Sequence, residues 1–512
     1  MILCFEFEYS NLNDNLAFFL DFYAKSSGLE YSIQREDYIL RLYVKGKQDE
    51  LLKFSDEISI RVPHSIFLQG SKVFVSEEMN GGLINFKNTL PNITPGVVDK
   101  FHNEKISACE NGILSGMKVE VKGAFVSVEE SNFNELLDFV CDEILNNNPI
   151  KFKNFQGTFE VSKFHELSEE FDILMVTNLK NLPKIFISNK NEQIALASYE
   201  KPVVELKTNA IYRQNHPDSP RFFKVVAPND IFMYALCEKL LKNGLNFLAV
   251  KTNEPQFMAV VLENSYIFSN AQIYYKDKIK KEINHSKDRD LTNFNLINEF
   301  KNENRLRVFL SKTKDDEIKI FRKNDSFDVL RLPTPSSFEE LFDEISKEEG
   351  GDRLVANYAS SFNIPTGKIE AKSSFFTLFC IVGKILGFDE DFKTAGKKLL
   401  ENAMDFNGAK GPRLDFKMAN RSEFNIIKFI RSGMSFRLAG VDDKILSFGY
   451  IESFAHFLSD FCDTLKEDFS VSVVVLQGSL FEYKTLSNLV LKHVGVGINT
   501  KFSKELSLEE MF

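Results

Sequence analysis

Over the first 62 residues apolar residues recur with the spacing of strand, helix, strand, strand, helix and strand, and that order admits few folds. Met1 to Tyr9 reads as a strand, and Asn15 to Lys25 as a helix with Leu16, Phe19, Leu20 and Tyr23 on one face. Ser26-Ser27-Gly28 places a glycine just past the last turn of that helix. Tyr31 to Gln34 and Tyr38 to Val44 read as strands, Asp49 to Ile58 as a helix, and Ile60 to Val62 as the opening of the last strand. The expectation is a ferredoxin-like module.

The chain of 512 residues is too long for one core, and length alone suggests about three or four domains. Asn-Gly-Gly and Asn-Ile-Thr-Pro-Gly punctuate residues 78–115, which read as linker or loop. Between about 116 and 285 strands alternate with helices: Val119 to Val128, Pro149 to Phe159, Pro202 to Leu206 and Phe247 to Lys251 as strands, Asn132 to Leu145 and Ile231 to Lys242 as helices. After a polar tract, Lys276 to Asn304, come strands at Leu306 to Ser311 and Glu317 to Arg322. Helices are expected near 337–347, 373–387, 390–403, 423–436 and 446–466, then a strand at Val471 to Leu476. The fold class is therefore mixed α/β and α+β, multidomain.

Composition excludes several functions. The net charge is −10 and the basic residues are scattered, so nucleic acid is not an expected partner. The start MILCFEFEYS lacks the pattern of a signal peptide. The most apolar stretch, Phe375 to Phe388, is broken by Lys384 and is shorter than the ~20 residues of a membrane span, so no membrane insertion is expected. The six cysteines are widely spaced without a CxxC, which reads as reduced thiols of a cytoplasmic protein and gives no support for zinc.

Near the end, "VVVLQGSLFEY" runs a buried strand into Gly478 and then a helical pattern, as α/β proteins do where they bring a strand to a phosphate. A second set of blocks is spread along the chain: "NPIKFKNFQGTFEVS", "YEKPVVEL", "VVAPND", "NFLAVKTNEP", "IFSNAQI", then "GGDRLV", "SSFFTLFCIVGKILG" and "TAGKKLLE". Their order resembles that of the HypF family, the carbamoyltransferases of NiFe-hydrogenase maturation, and the chain looks like a shortened HypF-like accessory protein. The resemblance implies an acylphosphatase-like module at 1–90, a YrdC-like domain at 91–290 with loop in place of the zinc modules, and a truncated Kae/TsaD-like domain of the actin/sugar-kinase class at 291–512.

The resemblance also shows what is missing. In "NLNDNLAFF" the family's arginine falls on Ala17 and its glycines on Asn13 and Asn15, its second asparagine falls on Arg35, and Asp14 would repel phosphate. The basic helix expected after "FEVS" is "KFHELSEEFD", and Lys251-Thr252-Asn253 contracts the Thr-Ser-Gly-Asn turn. The seven histidines contain no His-x-x-x-His, the family's aspartate is lost in "INTKFSKE", and its glutamate is Ala395. No catalytic residue and no metal ligand is therefore expected. The phosphate-binding remnants are Lys153, Gly351, Asp352, Ser373, Ser374, Gly478 and Ser479. Each has a structural reading beside the functional one: Lys153 as a solvated lysine, Gly351-Asp352 as part of a turn, Ser373-Ser374 as a helix cap, Gly478-Ser479 as a turn. The favoured reading is an accessory protein that binds the hydrogenase large subunit or another maturation factor and carries no cofactor. The alternatives are a carbamoyltransferase or nucleotide-binding enzyme with partial activity on ATP and carbamoyl phosphate, and an unassigned α/β protein.

Overall fold

The computed structural model describes residues 1–83, 86, 93–104, 115–165, 171–263, 265–271, 304–322, 325–369, 372–503 and 507–509. Cys109, the middle of "KFHELSEEFD" and all of the polar tract but Asn304 lie outside the described residues. The described chain forms two compact units, one holding Met1–Val261 and the other Leu262–Ser269 with the C-terminal part of the chain.

The first unit begins with β1 (Ile2–Tyr9), α1 (Asn15–Ser27), β2 (Glu30–Glu36), β3 (Ile39–Lys45), α2 (Gln48–Arg61) and β4 (Leu68–Ser76). They form one antiparallel sheet in the order β2-β3-β1-β4, the ferredoxin-like arrangement. Gly28 ends α1 in the left-handed region at φ 72°. The expected strand at Ile60 to Val62 is a correction: α2 runs on to Arg61. Pro63 holds Val62 extended, at ψ 122°, and so ends the helix there rather than opening a strand. One sheet edge is closed where Ile33 and Gly82 exchange backbone hydrogen bonds of 3.0 and 3.2 Å. On the other edge, among the described residues, β4 carries Val73, Phe74 and Val75 exposed to solvent.

The loop expected over 78–115 contains a helix, α3 (Pro95–Glu104). Its start is the Asn-Ile-Thr-Pro-Gly run: the Thr94 hydroxyl accepts from the Val97 N–H at 3.1 Å, and Pro95 occupies the first helical position, where no N–H is needed. Val119 to Val128 is likewise two strands, β5 (Lys118–Val121) and β6 (Ala124–Ser127), because Lys122 and Gly123 both adopt positive φ and turn the chain back.

The helix α4 (Phe133–Leu145) is followed by β7 (Ile150–Asn154), β8 (Gly157–Lys163), β9 (Ile173–Val176), β10 (Phe186–Ile187), α5 (Lys190–Ala197), β11 (Val204–Thr208), α6 (Ala210–Asn215), β12 (Phe222–Val226), α7 (Ile231–Lys242) and β13 (Phe247–Lys251). The strands β5 to β13 make a mixed nine-stranded sheet, order β10-β11-β12-β9-β13-β8-β7-β5-β6, in which β12 and β9 run parallel. Apolar faces of α4 and α7 close over it around Phe133, Val140, Phe152, Phe232 and Leu236. A buried carboxylate links its loops to the first sheet: Glu200 accepts from Ser65 Oγ at 2.6 Å and from the Ile66 N–H at 2.9 Å. The unit's last strand is β14 (Met258–Val261).

In the second unit β15 (Tyr266–Ser269) precedes β16 (Arg305–Phe309), β17 (Glu317–Phe321) and β18 (Ser326–Asp328). Six helices follow: α8 (Phe338–Lys347), α9 (Gly351–Ser361), α10 (Phe375–Ile385), α11 (Phe392–Asp405), α12 (Ile426–Leu438) and α13 (Asp443–Phe469). The unit ends in β19 (Val473–Gln477), α14 (Lys484–Val494) and β20 (Asn499–Phe502). One five-stranded sheet, order β18-β17-β16-β19-β20, has β16, β17 and β18 antiparallel and β19 and β20 parallel to β16. β19 is wholly buried, as its unbroken apolar run requires. α10 is the apolar stretch noted above and is sheathed by other helices, and no described helix is long and apolar enough to cross a membrane.

Candidate functional site: ligand turns bonded to their own chain

Three places carry the residues that the sequence marks for phosphate, and at each of them loop N–H groups are bonded to the chain's own side chains. In the loop after β1, the Asn13 N–H donates to Asn11 Oδ1 (2.8 Å) and the Asn15 N–H to Asn13 Oδ1 (3.0 Å), so backbone donors that would face an anion are spent on asparagine side chains. Arg35 then enters the loop from β2 and donates to the carbonyls of Asn11 (2.6 Å) and Asn13 (2.7 Å) and to the Asp14 carboxylate (3.3 Å). The cradle is inside out, with oxygens facing a cation. It leaves two donors over: the Nδ2 atoms of Asn13 and Asn15 are buried without a hydrogen-bond partner.

In the nine-stranded sheet Lys153 is exposed on β7, in register with Lys118 and Thr158. The contracted turn beyond β13 is bonded to its own chain. Its Thr252 N–H donates to Asp172 (2.8 Å), the Thr252 hydroxyl donates to the Thr158 carbonyl (3.0 Å), and the Glu254 N–H donates back to that hydroxyl (3.1 Å). Lys153 thus has the surroundings of a surface lysine.

The third place is in the second unit, around the loop Ser311-Lys312-Thr313-Lys314-Asp315-Asp316 that joins β16 to β17. It brings together four of the seven residues singled out in the sequence. Ser373 donates its N–H to Asp315 (2.8 Å), and Asp316 accepts from the N–H groups of Ser311 (2.8 Å) and Phe375 (2.6 Å). Ser374 caps α10, its hydroxyl accepting from the Thr377 N–H at 3.1 Å, which is the structural reading of that pair. On the other side the Lys312 N–H donates to Ser479 Oγ (3.1 Å), and the Leu480 N–H donates to the Leu310 carbonyl (3.0 Å).

Gly478 sits at φ 103° and ψ 151°, and a Cβ there would lie 2.0 Å from the Leu310 carbonyl oxygen, so close backbone packing demands the glycine whatever the turn binds. Gly351 and Asp352 lie apart from this cluster. They open α9 and do not form a simple turn, and a Cβ on Gly351 would fall 1.7 Å from the Ile345 carbonyl oxygen, so this glycine too is set by packing.

Three groups in this cluster carry no signal in the sequence motifs: Asp316, Lys312 and Glu509. Lys312 Nζ is paired with Glu482, which also accepts from Ser269 Oγ at 2.7 Å. Glu509 accepts from Ser311 Oγ at 3.0 Å to both carboxylate oxygens, from Thr313 Oγ1 at 3.2 Å and from the Ser479 N–H at 3.0 Å, with Lys314 Nζ at 3.7 Å. Burial works to raise the Glu509 pKa, but these hydrogen bonds and the Lys314 charge outweigh it and hold the carboxyl below its ordinary value.

Asp316 is the reverse case. Burial, with the charges of Asp315 and Glu509, lifts its pKa well above the ordinary value despite its two backbone donors. A folded-state pKa above the unfolded one means stability that is full below about pH 4 and is lost as pH rises through the raised value. Asp316→Asn keeps one acceptor oxygen and removes the charge. Its urea midpoint is therefore expected to fall less between pH 5 and pH 8 than that of the unaltered protein, and an equal fall in both would contradict the assignment.

Among the described residues no group of three or more His, Cys, Asp or Glu side chains is placed to hold a metal. The described cysteines are free and buried.

No protein-family model matches the chain. It is 24% identical over 507 residues to Protein HydE of Wolinella succinogenes, covering 91% of each. Among solved structures, full-length HypF in its phosphate- and nucleotide-bound form superposes with a TM-score of 0.58 at 11% identity, over 98% of this chain and 96% of that one. HypF of T. kodakarensis gives 0.61 at 9% identity, over 99% and 96%. The chain thus has the mixed α/β, multidomain fold of HypF and is similar in sequence to HydE along its length, so the resemblance to HypF that the ordered blocks carry holds in fold.

Proposed function

We propose that this protein is an accessory factor of NiFe-hydrogenase maturation, which binds the hydrogenase large subunit or another maturation factor and does not catalyse carbamoyl transfer. Its parts are an acylphosphatase-like module at 1–90, a YrdC-like domain at 91–290 and a truncated Kae/TsaD-like domain at 291–512. The observation that carries the reading is that the loops where such domains grip phosphate are bonded to the chain's own side chains: Arg35 in the first, Asp172 in the second, Glu509 in the third. Binding a protein needs only a folded exterior. The edge of β4, unpaired among the described residues and with Val73, Phe74 and Val75 exposed, offers backbone groups and apolar side chains to an extended segment of a partner.

The test is complementation of a deletion strain, read as hydrogen uptake. Lys153→Ala is expected to restore uptake as fully as the unaltered gene, whereas the double variant Val73→Lys, Val75→Lys is expected to restore little of it. Loss of uptake with Lys153→Ala, or full uptake with the β4 variant, would contradict the reading.

A second reading, a partly active carbamoyl phosphate or nucleotide enzyme, is favoured by one observation. The buried amide nitrogens of Asn13 and Asn15 have no hydrogen-bond partner, a state that costs about 1–3 kcal/mol each unless a ligand or water meets them.

A further inference from the structure

The carboxylate of Glu509 is held as an oxyanion is held. Its two oxygens meet the Ser311 hydroxyl, the Thr313 hydroxyl and the Ser479 N–H at 3.0 to 3.2 Å, with the Lys314 ammonium alongside. These donors come from two loops, at the ends of the neighbouring parallel strands β16 and β19. The Ser311 hydroxyl is itself fixed: it is fully buried and accepts from the N–H groups of Thr313 (3.1 Å) and Lys314 (3.0 Å), so its proton is directed at the carboxylate. The preceding residue, Leu508, is pinned on both sides, donating its N–H to Phe268 O at 2.7 Å and accepting from the Gly478 N–H. Charge matches as well, since one anionic group sits against one cation and three neutral donors.

From this we propose that Ser311, Thr313, Lys314 and the Ser479 N–H form an oxyanion site, and that the Glu509 carboxylate is its resident ligand, tethered in place and excluding phosphate-class anions. The proposal rests on the non-catalytic reading above and gives the device that maintains it. A tethered group acts at an effective concentration in the millimolar range, so a free anion must compete with it and loses apparent affinity in proportion. The site is closed by occupation, and its donors remain intact beneath the carboxylate.

The experiment is calorimetric titration of inorganic pyrophosphate into the full-length protein, into Glu509→Ala, into Glu509→Gln and into the double variant Ser311→Ala, Glu509→Ala. Thermal unfolding of each serves as the check on folding. Glu509→Ala is expected to bind pyrophosphate at least about tenfold more tightly than the unaltered protein. Glu509→Gln, with a neutral group in the same seat, should fall between them, and removal of the Ser311 hydroxyl should abolish the gain. Equal affinity in the unaltered protein and a folded Glu509→Ala would overturn the proposal, as would a gain that persists without Ser311. If Glu509→Ala fails to fold, the comparison with Glu509→Gln decides in the same way.

The two readings fail separately. Should Glu509→Ala bind pyrophosphate more tightly than the unaltered protein while the unaltered protein itself releases pyrophosphate from ATP in the presence of carbamoyl phosphate, the tethered-anion site stands and the non-catalytic reading falls. Should a folded Glu509→Ala bind pyrophosphate no more tightly than the unaltered protein, and the unaltered protein turn over nothing, the reverse holds.

Discussion

Gly478→Ala is expected to unfold the sheet of the second unit. The new Cβ would lie 2.0 Å from the Leu310 carbonyl oxygen and 2.6 Å from its nitrogen. Neither atom can retreat. The Leu310 N–H donates to the Gln477 carbonyl and the Leu310 carbonyl accepts from the Leu480 N–H, at 2.9 and 3.0 Å, so moving residue 310 breaks the bonds by which β16 and β19 end in register. The backbone at φ 103° and ψ 151° adds strain, because almost only glycine adopts it. Steric overlap, lost ladder bonds and strain together exceed about 4 kcal/mol, a large part of the 5–15 kcal/mol that stabilises a typical domain. In hydrogen exchange the amides of Val474, Val475 and Leu476 should lose most of their protection. Near-unaltered protection at those amides would show that the turn relaxes without cost.

Glu200→Ala should cost about 2–4 kcal/mol through a different route. Truncation strands the buried Ile66 N–H, at a cost of about 1–3 kcal/mol, and leaves Ser65 Oγ only the longer 3.3 Å bond to the Tyr9 hydroxyl, while the lost side chain also leaves a buried void. The carboxyl is itself buried, and burial raises its pKa despite the hydrogen bonds from Ser65 and Ile66. Glu200→Gln retains one acceptor oxygen and removes the ionisable group, so it should cost clearly less than Glu200→Ala. A raised folded-state pKa makes the unaltered protein lose stability as pH rises through it, and Glu200→Gln should lack that loss. Urea unfolding of the three proteins at pH 5 and pH 8 measures both effects. Equal midpoints for Ala and Gln would mean that the hydrogen bonds contribute nothing.

Much of this was legible in the chain because it is local. The βαββαβ start, α7 at Ile231–Lys242 and β13 at Phe247–Lys251 follow from apolar spacing and from Gly28, which needs the left-handed conformation. The errors are local too, and each traces to one or two residues. Pro63 ended α2 and opened no strand, Thr94-Pro95 started a helix and punctuated no loop, and Lys122-Gly123 split one apparent strand into a hairpin. The helix α9 was hidden by its own start, since Gly350 and Gly351 resemble a turn until the Ile345 carbonyl is placed beside them.

The oxyanion cluster was out of reach for a different reason. Glu509 meets Ser311 across a separation of 198 residues, and nothing in Ser-Lys-Thr-Lys or in Leu-Glu-Glu marks one as the seat of the other. Gly478 and Ser479 were visible because a buried strand leads straight into them. The group that occupies their turn was not.

In the proposed accessory role, the loops that the sequence marks for phosphate are turned over to the chain's own side chains. The direct test is to incubate the purified full-length protein with ATP, magnesium and carbamoyl phosphate and to measure pyrophosphate release. Release no faster than in the protein-free control is the predicted result. Steady turnover that Arg35→Ala or Ser479→Ala abolishes in still-folded protein would contradict it.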